Sequence, residues 1–591
     1  MLYAKSNSIV QLFRLFAITL NRLAPIKLVR SPTMSIQNNA QKSFLKPQGS
    51  PVFRKPFPGR FTDDPRADEA RHECGLAAIS IDKPLEKLPA GGAAYYLYRM
   101  LLQQQNRGQL AAGITTFNEE REQRIDTYRK LGLVNDVFKS HMRESSLAIL
   151  KNYEGTKGIG HVRYATCGTD DESYAQPFER HHGRRWKWFS FAFNGNIANF
   201  SILKAEIEKK DYRLVRNIDT ELILHHLSHQ FRGDKKVQLD KAFSSLADMY
   251  DGAWNVVYIN GEGTLAATRD PMGFRPLSYS IQDDRVAIAS ESCAITNLGM
   301  NHVKSLQPGE LIEVENGKAE VKQFAKNKKT SRCMFEWVYF ANAASTIDGK
   351  SVYQVRWRLG KQLADKETLK VNDEEFVVVG VPDTAKPAAD SYAHYMGLPS
   401  MEGLLRNRYV GRTFIEGVGR DERVREKYNL NKAVLKDMKV ILIEDSIVRG
   451  STSTPLVKYI KEKGKAKEVH VRVSCPPIRA PCFYGIDMST LTEMIAVRNM
   501  GKKDIEDVGF HDLDEKAIEN VRKEIGADSL RYQSLDGLVK GINYEDKEKG
   551  LCMACVTGVY PTPHGERLYQ IAKKNHDQGV KGRTYELEVK S

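Results

Sequence analysis

A chain of 591 residues with 41% hydrophobic and 28% charged side chains can bury sizeable cores and is too long for one ordinary domain. Its formal charge of +15 raises nucleic acid as a partner, but residues 1–73 hold twelve Lys or Arg against five Asp or Glu, leaving +7 there and +8 elsewhere. That remainder fits an enzyme of anionic substrates without DNA, and eight cysteines over this length exclude a disulfide scaffold.

The first 62 residues lack Asp and Glu, and their apolar run IVQLFRLFAITL is broken by Arg14 and too short to span a bilayer. Three readings stay open: an organelle transit peptide, an over-long start with Met34 as the first residue, or a disordered pro-segment. Each makes residues 1–73 dispensable for chemistry. A reducing, cytoplasmic location is the expectation, with organelle targeting as the alternative.

From Cys74 to residue 325, short β runs such as LAAISI, NVVYING, TLAATRD and RVAIAS alternate with helical stretches, which predicts an α+β layer domain. Cys74 stands in HECGLAAISI, directly before a β run, where a cysteine alone is ordinarily a core residue. It has company in RGQLAAG at 107–113, GHVRYATCG at 160–168, FNGN at 193–196 and DTE at 219–221. Breaking an amide through a thiolate needs a base, an oxyanion hole and a grip on the substrate head group, and these residue types can supply them.

The basic run KNKKTSR at 326–332 reads as a solvated linker. Beyond it FVVVGVP, VILIED and EVHVRVSC alternate with the helical stretches AKPAADSYAHYMG and STSTPLVKYIKEKG. Continuous Val/Ile runs separated by helices predict a parallel sheet covered on both faces over 326–530. Residues 531–591 form a charged C-terminal segment ending in a helix and tail.

Within VILIEDSIVRGSTS, residues 440–453, a buried strand leads to a turn and then a Ser/Thr helix start, so backbone N–H groups and the helix dipole can face an anion. The adjacent acids Glu444 and Asp445 at the strand end need a cation or hydroxyls in front of them. A ribose carrying a Mg²⁺-bound pyrophosphate offers both. Cys552 and Cys555 form CMAC, a spacing compatible with zinc, redox chemistry or chance.

VILIEDSIVRGSTS resembles the signature of type I phosphoribosyltransferases, and the motifs around Cys74 resemble, in order, those of N-terminal-nucleophile glutamine amidotransferases. With VPDTAKPAA at 381–389, NRYVGRTFI at 407–415 and SCPPIRAPCFYGIDMST at 474–490, the chain from Cys74 to about residue 562 is similar to the glutamine phosphoribosylpyrophosphate amidotransferase family. The resemblance implies an αββα glutaminase domain over 74–325, a type I phosphoribosyltransferase domain after it, and removal of residues 1–73 as a leader or pro-segment. It implies a pentosyltransferase that makes 5-phosphoribosylamine from glutamine and phosphoribosyl pyrophosphate, at the first committed step of purine synthesis.

By the same resemblance Cys74 is the nucleophile, with its own α-amine as base, and Asn194 with the Gly195 N–H forms the oxyanion hole. Arg163 pairs with the glutamine carboxylate and Asp219 with its ammonium. Asp383, Thr384, Arg408, Arg412, Ser446, Arg449, Gly450, Ser451, Thr452 and Ser453 bind the sugar pyrophosphate, and Thr384, Glu444 and Asp445 help hold Mg²⁺. Cys333, Cys482, Cys552 and Cys555 match the ligands of a 4Fe–4S cluster in one branch of the family, although four thiolates also suit zinc. Purine nucleotide inhibitors and a homotetramer are implied; nucleic acid and membrane partners are not. The chain departs from the family at Leu110, Phe193 and Glu444.

Overall fold

The computed structural model describes residues 74–580 apart from 165–170, 327–328, 408–419, 489, 502–504, 506–508 and 546–548. The proposed leader, Cys167, Arg408, Arg412 and the tail from residue 581 therefore lie outside the described residues.

Two antiparallel sheets face each other in the first half. One has seven strands, with Gly75–Ile81 between Arg285–Ala289 and Lys157–Arg163. The other has six, with Phe189–Ile197 between Phe178–Arg180 and Gly252–Asn260. Every residue of Gly75–Ile81 is buried, which explains a sequence apolar but for Ser80. Successive side chains of a strand point to opposite faces, and here each face has its own core. Leu76 and Ala78 meet Ala192, Val257 and Ala267 between the sheets, while Ala77 and Ile79 meet Leu97 and Leu101 of the helix Ala93–Gln103. Helices Phe200–Glu208, Asp219–Gln230 and Leu239–Met249 cover the outer face of the six-stranded sheet through Leu203, Leu227 and Phe243. The result is the expected αββα sandwich.

The second half is built on a four-stranded parallel sheet, ordered Phe376–Gly380, Lys439–Glu444, Glu468–Val473, Ser529–Tyr532. Helix Val352–Ala364 packs with Lys386–Met396 and Leu535–Ile542, and Ser453–Glu462 packs with Glu515–Ile525. The expected closing helix spans Pro563–Asp577, started by Pro563 and by the Thr562 hydroxyl, which accepts the Gly565 N–H. Its N-terminus is tied to the sandwich by the His564 N–H, which donates to Asp251.

Lys326 and Lys329 are exposed as a solvated linker requires, but the end of the run departs from that role. Ser331 is buried in a short strand, Ser331–Cys333, that pairs in parallel with Gly550–Cys552, and Arg332 donates to Asp348 at 2.7 Å. A cluster of lysines reports side-chain polarity; it carries no signal of a backbone partner supplied from far along the chain. No helix among the described residues is long and apolar enough to cross a membrane.

Candidate functional site

Cys74 precedes the central strand Gly75–Ile81, and Arg163 ends the neighbouring strand Lys157–Arg163, so the sheet brings thiol and guanidinium together. The Cys74 Sγ lies 3.8 Å from the Tyr164 carbonyl oxygen. Burial pushes the thiol above its ordinary value, partly offset by that contact and by the Arg163 charge. The Sγ proton therefore has to be taken by a base before attack. The guanidinium carbon of Arg163 stands 5.3 Å from the centre of the Tyr174 ring, a cation–π contact that the motifs do not announce.

Asn194 and Gly195 lie on the facing sheet, in Phe189–Ile197. The Asn194 Nδ2 is buried and has no hydrogen-bond partner among the described residues, a donor held ready at a cost in desolvation. Gly195 has φ +151°, and a Cβ there would stand 1.9 Å from the Ala253 carbonyl oxygen, so no other residue fits. One residue earlier, the Phe193 carbonyl is 3.2 Å from His161 Nε2. Burial, then Arg163, hold His161 down at about 3, so it is neutral and this nitrogen is assigned the proton it donates. At the strand's end the Ile197 N–H donates to Asp219, the first residue of helix Asp219–Gln230. Burial raises the Asp219 carboxyl to about 7.

Two family departures are accommodated locally. Leu110 contacts Arg163 through its backbone, its N–H donating 3.0 Å to the Arg163 carbonyl, a bond independent of the side chain at 110. Phe193 is buried with Trp254 and Ile197 in the core under the outer helices.

In the second half, Lys439–Glu444 runs into the turn 445–452, which leads into helix Ser453–Glu462. Glu444 and Asp445 are 9% and 6% exposed, so two carboxylates are nearly dry at the strand end. The Ser446 hydroxyl bonds Asp445 at 2.7 Å. Gly450 turns the chain at φ +79°, where a Cβ would fall 2.4 Å from Ile495 Cδ1. The Val381 N–H donates to the Ile443 carbonyl at 2.9 Å, which sets Asp383 and Thr384 beside the same strand end. Asp383 pairs with Arg406, and Arg449 with Glu493. Arg356, absent from the motifs, is buried behind this loop. Its burial lowers it to about 10 against the pull of Asp445, and it donates to the Trp337, Tyr339 and Ala341 carbonyls.

Between the halves Arg107 is fully buried and donates to Glu291 at 2.7 Å and Glu336 at 2.8 Å. Burial works against its charge, and the two carboxylates outweigh it. Such a pair is retained only when its hydrogen bonds are complete, and Asn106, the Asn342 N–H and Ser345 supply the rest of Glu291's partners. Arg107 stands in the RGQLAAG motif, so its presence was legible; its partners, far along the chain, were not.

The four cysteines at 333, 482, 552 and 555 converge. Cys333 and Cys552 are register partners in the parallel strand pair, so their thiols leave one face on adjacent strands. The Cys555 carbonyl accepts the Arg479 and Ala480 N–H groups just before Cys482, and each thiol lies within electrostatic reach of others in the set. Burial raises Cys333 to about 11 and holds Cys552 and Cys555 higher still. The Tyr484 N–H points at Cys482 Sγ from 3.4 Å. No group of three or more His, Cys, Asp or Glu among the described residues is gathered tightly enough for a single metal ion. Cys293 and Cys475 are buried, as expected of small core residues.

Comparison with known proteins adds three kinds of likeness. A family model for the glutamine amidotransferase domain matches residues 161–297. The amidophosphoribosyltransferase of Methanothermobacter thermautotrophicus is 38% identical over 84% of this chain and 96% of its own length, and the chloroplastic amidophosphoribosyltransferase of Glycine max is 34% identical over 90% and 85%. Among solved structures, the glutamine phosphoribosylpyrophosphate amidotransferase of B. subtilis complexed with ADP and GMP superposes with a TM-score of 0.71 at 33% identity, covering 83% of this chain and 98% of that one. A structure described as the allosteric regulatory enzyme of purine biosynthesis matches equally, at TM-score 0.71 and 34% identity, over 83% and 96%.

Proposed function

The chain belongs to the amidophosphoribosyltransferase family, and from that premise we propose how its own residues divide the reaction between two centres. It is a glutamine-dependent pentosyltransferase of purine biosynthesis: glutamine is hydrolysed, and the ammonia displaces pyrophosphate from C1 of phosphoribosyl pyrophosphate to give 5-phosphoribosylamine and glutamate.

In the proposed glutaminase centre Cys74 Sγ attacks the side-chain amide carbon and its proton passes to the Cys74 α-amine, whose ordinary value of about 8 suits it to that task. The carbonyl oxygen gathers negative charge against Asn194 Nδ2 and the Gly195 N–H. Collapse expels ammonia with a proton from the amine, leaving a glutamyl thioester, which water cleaves to glutamate and free thiol. Arg163 grips the substrate carboxylate and Asp219 its ammonium. The observation that carries this reading is the buried Asn194 Nδ2 left without a partner beside Phe193 and Gly195.

The transferase centre is assigned to the turn 445–452 at the helix start, with Ser446 and Arg449 to Ser453 around phosphate and Asp383 with Thr384 on the pyrophosphate side. Arg408 and Arg412, in residues outside those described, are assigned to the same pyrophosphate. Glu444, Asp445 and Thr384 would hold Mg²⁺; two nearly dry carboxylates fit a cation that takes its other ligands from phosphate and water. When bound, it supplies charge neutralisation on the departing pyrophosphate.

For the cysteine quartet we favour a 4Fe–4S cluster. Supporting it are the parallel register of Cys333 with Cys552 and the bonds from the Arg479 and Ala480 N–H groups to the Cys555 carbonyl, which draw the three stretches together. Its role is structural, tying residues 550–555 to the transferase core. We further propose a removable leader over 1–73, glutaminase and transferase domains over 74–325 and 326–530, a C-terminal segment over 531–591, a homo-oligomeric enzyme, and purine nucleotides as inhibitors. ADP and GMP in the B. subtilis relative support the last. The chloroplastic soybean relative supports keeping organelle targeting beside the cytoplasmic reading of the leader.

The deciding experiment is a steady-state assay of glutamate and pyrophosphate release. Both products are expected at a one-to-one ratio when glutamine and phosphoribosyl pyrophosphate are present together; pyrophosphate release that ignores glutamine and ammonia alike overturns the assignment.

A further inference from the structure

The strand that carries the oxyanion donors is fastened on three sides, and one fastening comes from the transferase half. His161 holds the Phe193 carbonyl, and Asp219 holds the Ile197 N–H. Between them the Asn196 Nδ2 donates 2.9 Å to the Phe483 carbonyl of the other half. The receiving segment is itself held hard. Tyr484 stacks on Phe274 with ring centres 4.4 Å apart, and the buried Arg275 guanidinium donates to the Tyr484 carbonyl. Gly485, at φ +106°, lies so close that a Cβ on it would stand 3.2 Å from the Gly195 carbon.

We propose that Asn196 is a positioning residue for glutamine hydrolysis, and that residues 483–485 of the transferase half are the surface on which the oxyanion donors are aligned. The inference rests on the assignment of Asn194 and Gly195 to the oxyanion hole. Its physical basis is that donors aimed at a developing charge lose much of their effect when displaced by even 1 Å. The bond of Asn196 spans the two halves. The head-group contacts of Arg163 and Asp219 belong to the glutaminase half alone.

The test uses the mature full-length enzyme and the variants Asn196→Ala and Asn196→Asp, the second keeping the shape while removing the donor. Four quantities are read on each preparation: kcat and KM for glutamine hydrolysis, ammonia-dependent transfer, inhibition by glutamate, and inhibition by the γ-aldehyde of glutamate. The aldehyde adds the Cys74 thiol to form a thiohemiacetal whose oxygen enters the hole; glutamate reports the head-group grip. Both variants are expected to lower kcat about tenfold and to weaken the aldehyde by a similar factor. Glutamine KM, glutamate inhibition and ammonia-dependent transfer should move less than about twofold. Unchanged kcat and aldehyde binding in both variants overturn the proposal, and so does a fall of glutamine and ammonia activities together. Asn194→Ala, measured alongside, separates the levels. If it too is silent the oxyanion assignment fails, whereas a damaged Asn194→Ala beside a silent Asn196→Ala removes only the alignment by residues 483–485.

Discussion

The Ile197 N–H donates to Asp219 Oδ2 at 3.0 Å, which joins the carboxylate assigned to the glutamine ammonium to the strand of Asn194 and Gly195. Burial holds that carboxyl at about 7, so near neutral pH the free enzyme carries it partly protonated. An ammonium needs the charged form, and glutamine affinity is expected to rise as pH climbs through about 7. The linkage has the opposite sign for folding. Between the ordinary carboxylate range and about 7 the folded state keeps a proton that the unfolded state has lost, so this group's contribution to stability falls as pH rises through that window. Calorimetric titration of glutamine into the Cys74→Ala enzyme checks the first effect. A flat affinity between about pH 6 and about pH 8, or an Asp219→Asn variant that keeps the slope, rules out the assignment.

The α-amine of Cys74 can act as base only if the bond between Glu73 and Cys74 is cut. Intact mass measurement of active enzyme is expected to give Cys74 as the first residue. A chain beginning at residue 74 with Cys74→Ala should lose glutamine-dependent turnover by about 10³-fold or more while keeping transfer from ammonium salts. Full activity in a chain that retains Glu73 would refute the amine as base.

Tyr174 should matter to glutamine and not to ammonia. A cation–π contact contributes about 0.5–2 kcal/mol, so Tyr174→Ala is expected to raise glutamine KM between about twofold and thirtyfold, with ammonia-dependent kcat unchanged. Tyr174→Phe keeps the ring and should restore the parent KM. Equal KM values for the Ala variant and the parent would remove Tyr174 from the site.

Purified protein made under exclusion of air should carry about four iron and about four sulfide per chain and absorb visible light. Cys552→Ser should lower both contents and the melting temperature together, since residues 550–552 pair with 331–333. A colourless protein with stoichiometric zinc would replace the cluster by zinc at the same residues.

The parts legible in the sequence were those written in local patterns. VILI at 440–443 lies in a buried central strand because its four side chains are apolar, and Gly450 follows because only glycine turns the chain there. The order of motifs around Cys74 was readable because each lies at one end of a strand or at the start of a helix. What stayed hidden depends on pairs distant in the chain. Asn196 gives no sign of Phe483, Arg163 none of Tyr174, and KNKKTSR conceals a strand whose partner is Gly550–Cys552. A single side chain has no period, and a backbone ladder between remote segments leaves no mark on composition.

The cysteine quartet draws on three separate stretches, at 333, at 482 and at 552 with 555. During synthesis only two of its members exist until the chain has grown past residue 552, so any product that stops earlier lacks half the thiols, however well its sandwich has folded. Completion of the set therefore requires that translation has passed residue 555, so a chain ended before that point is marked by the thiols it lacks.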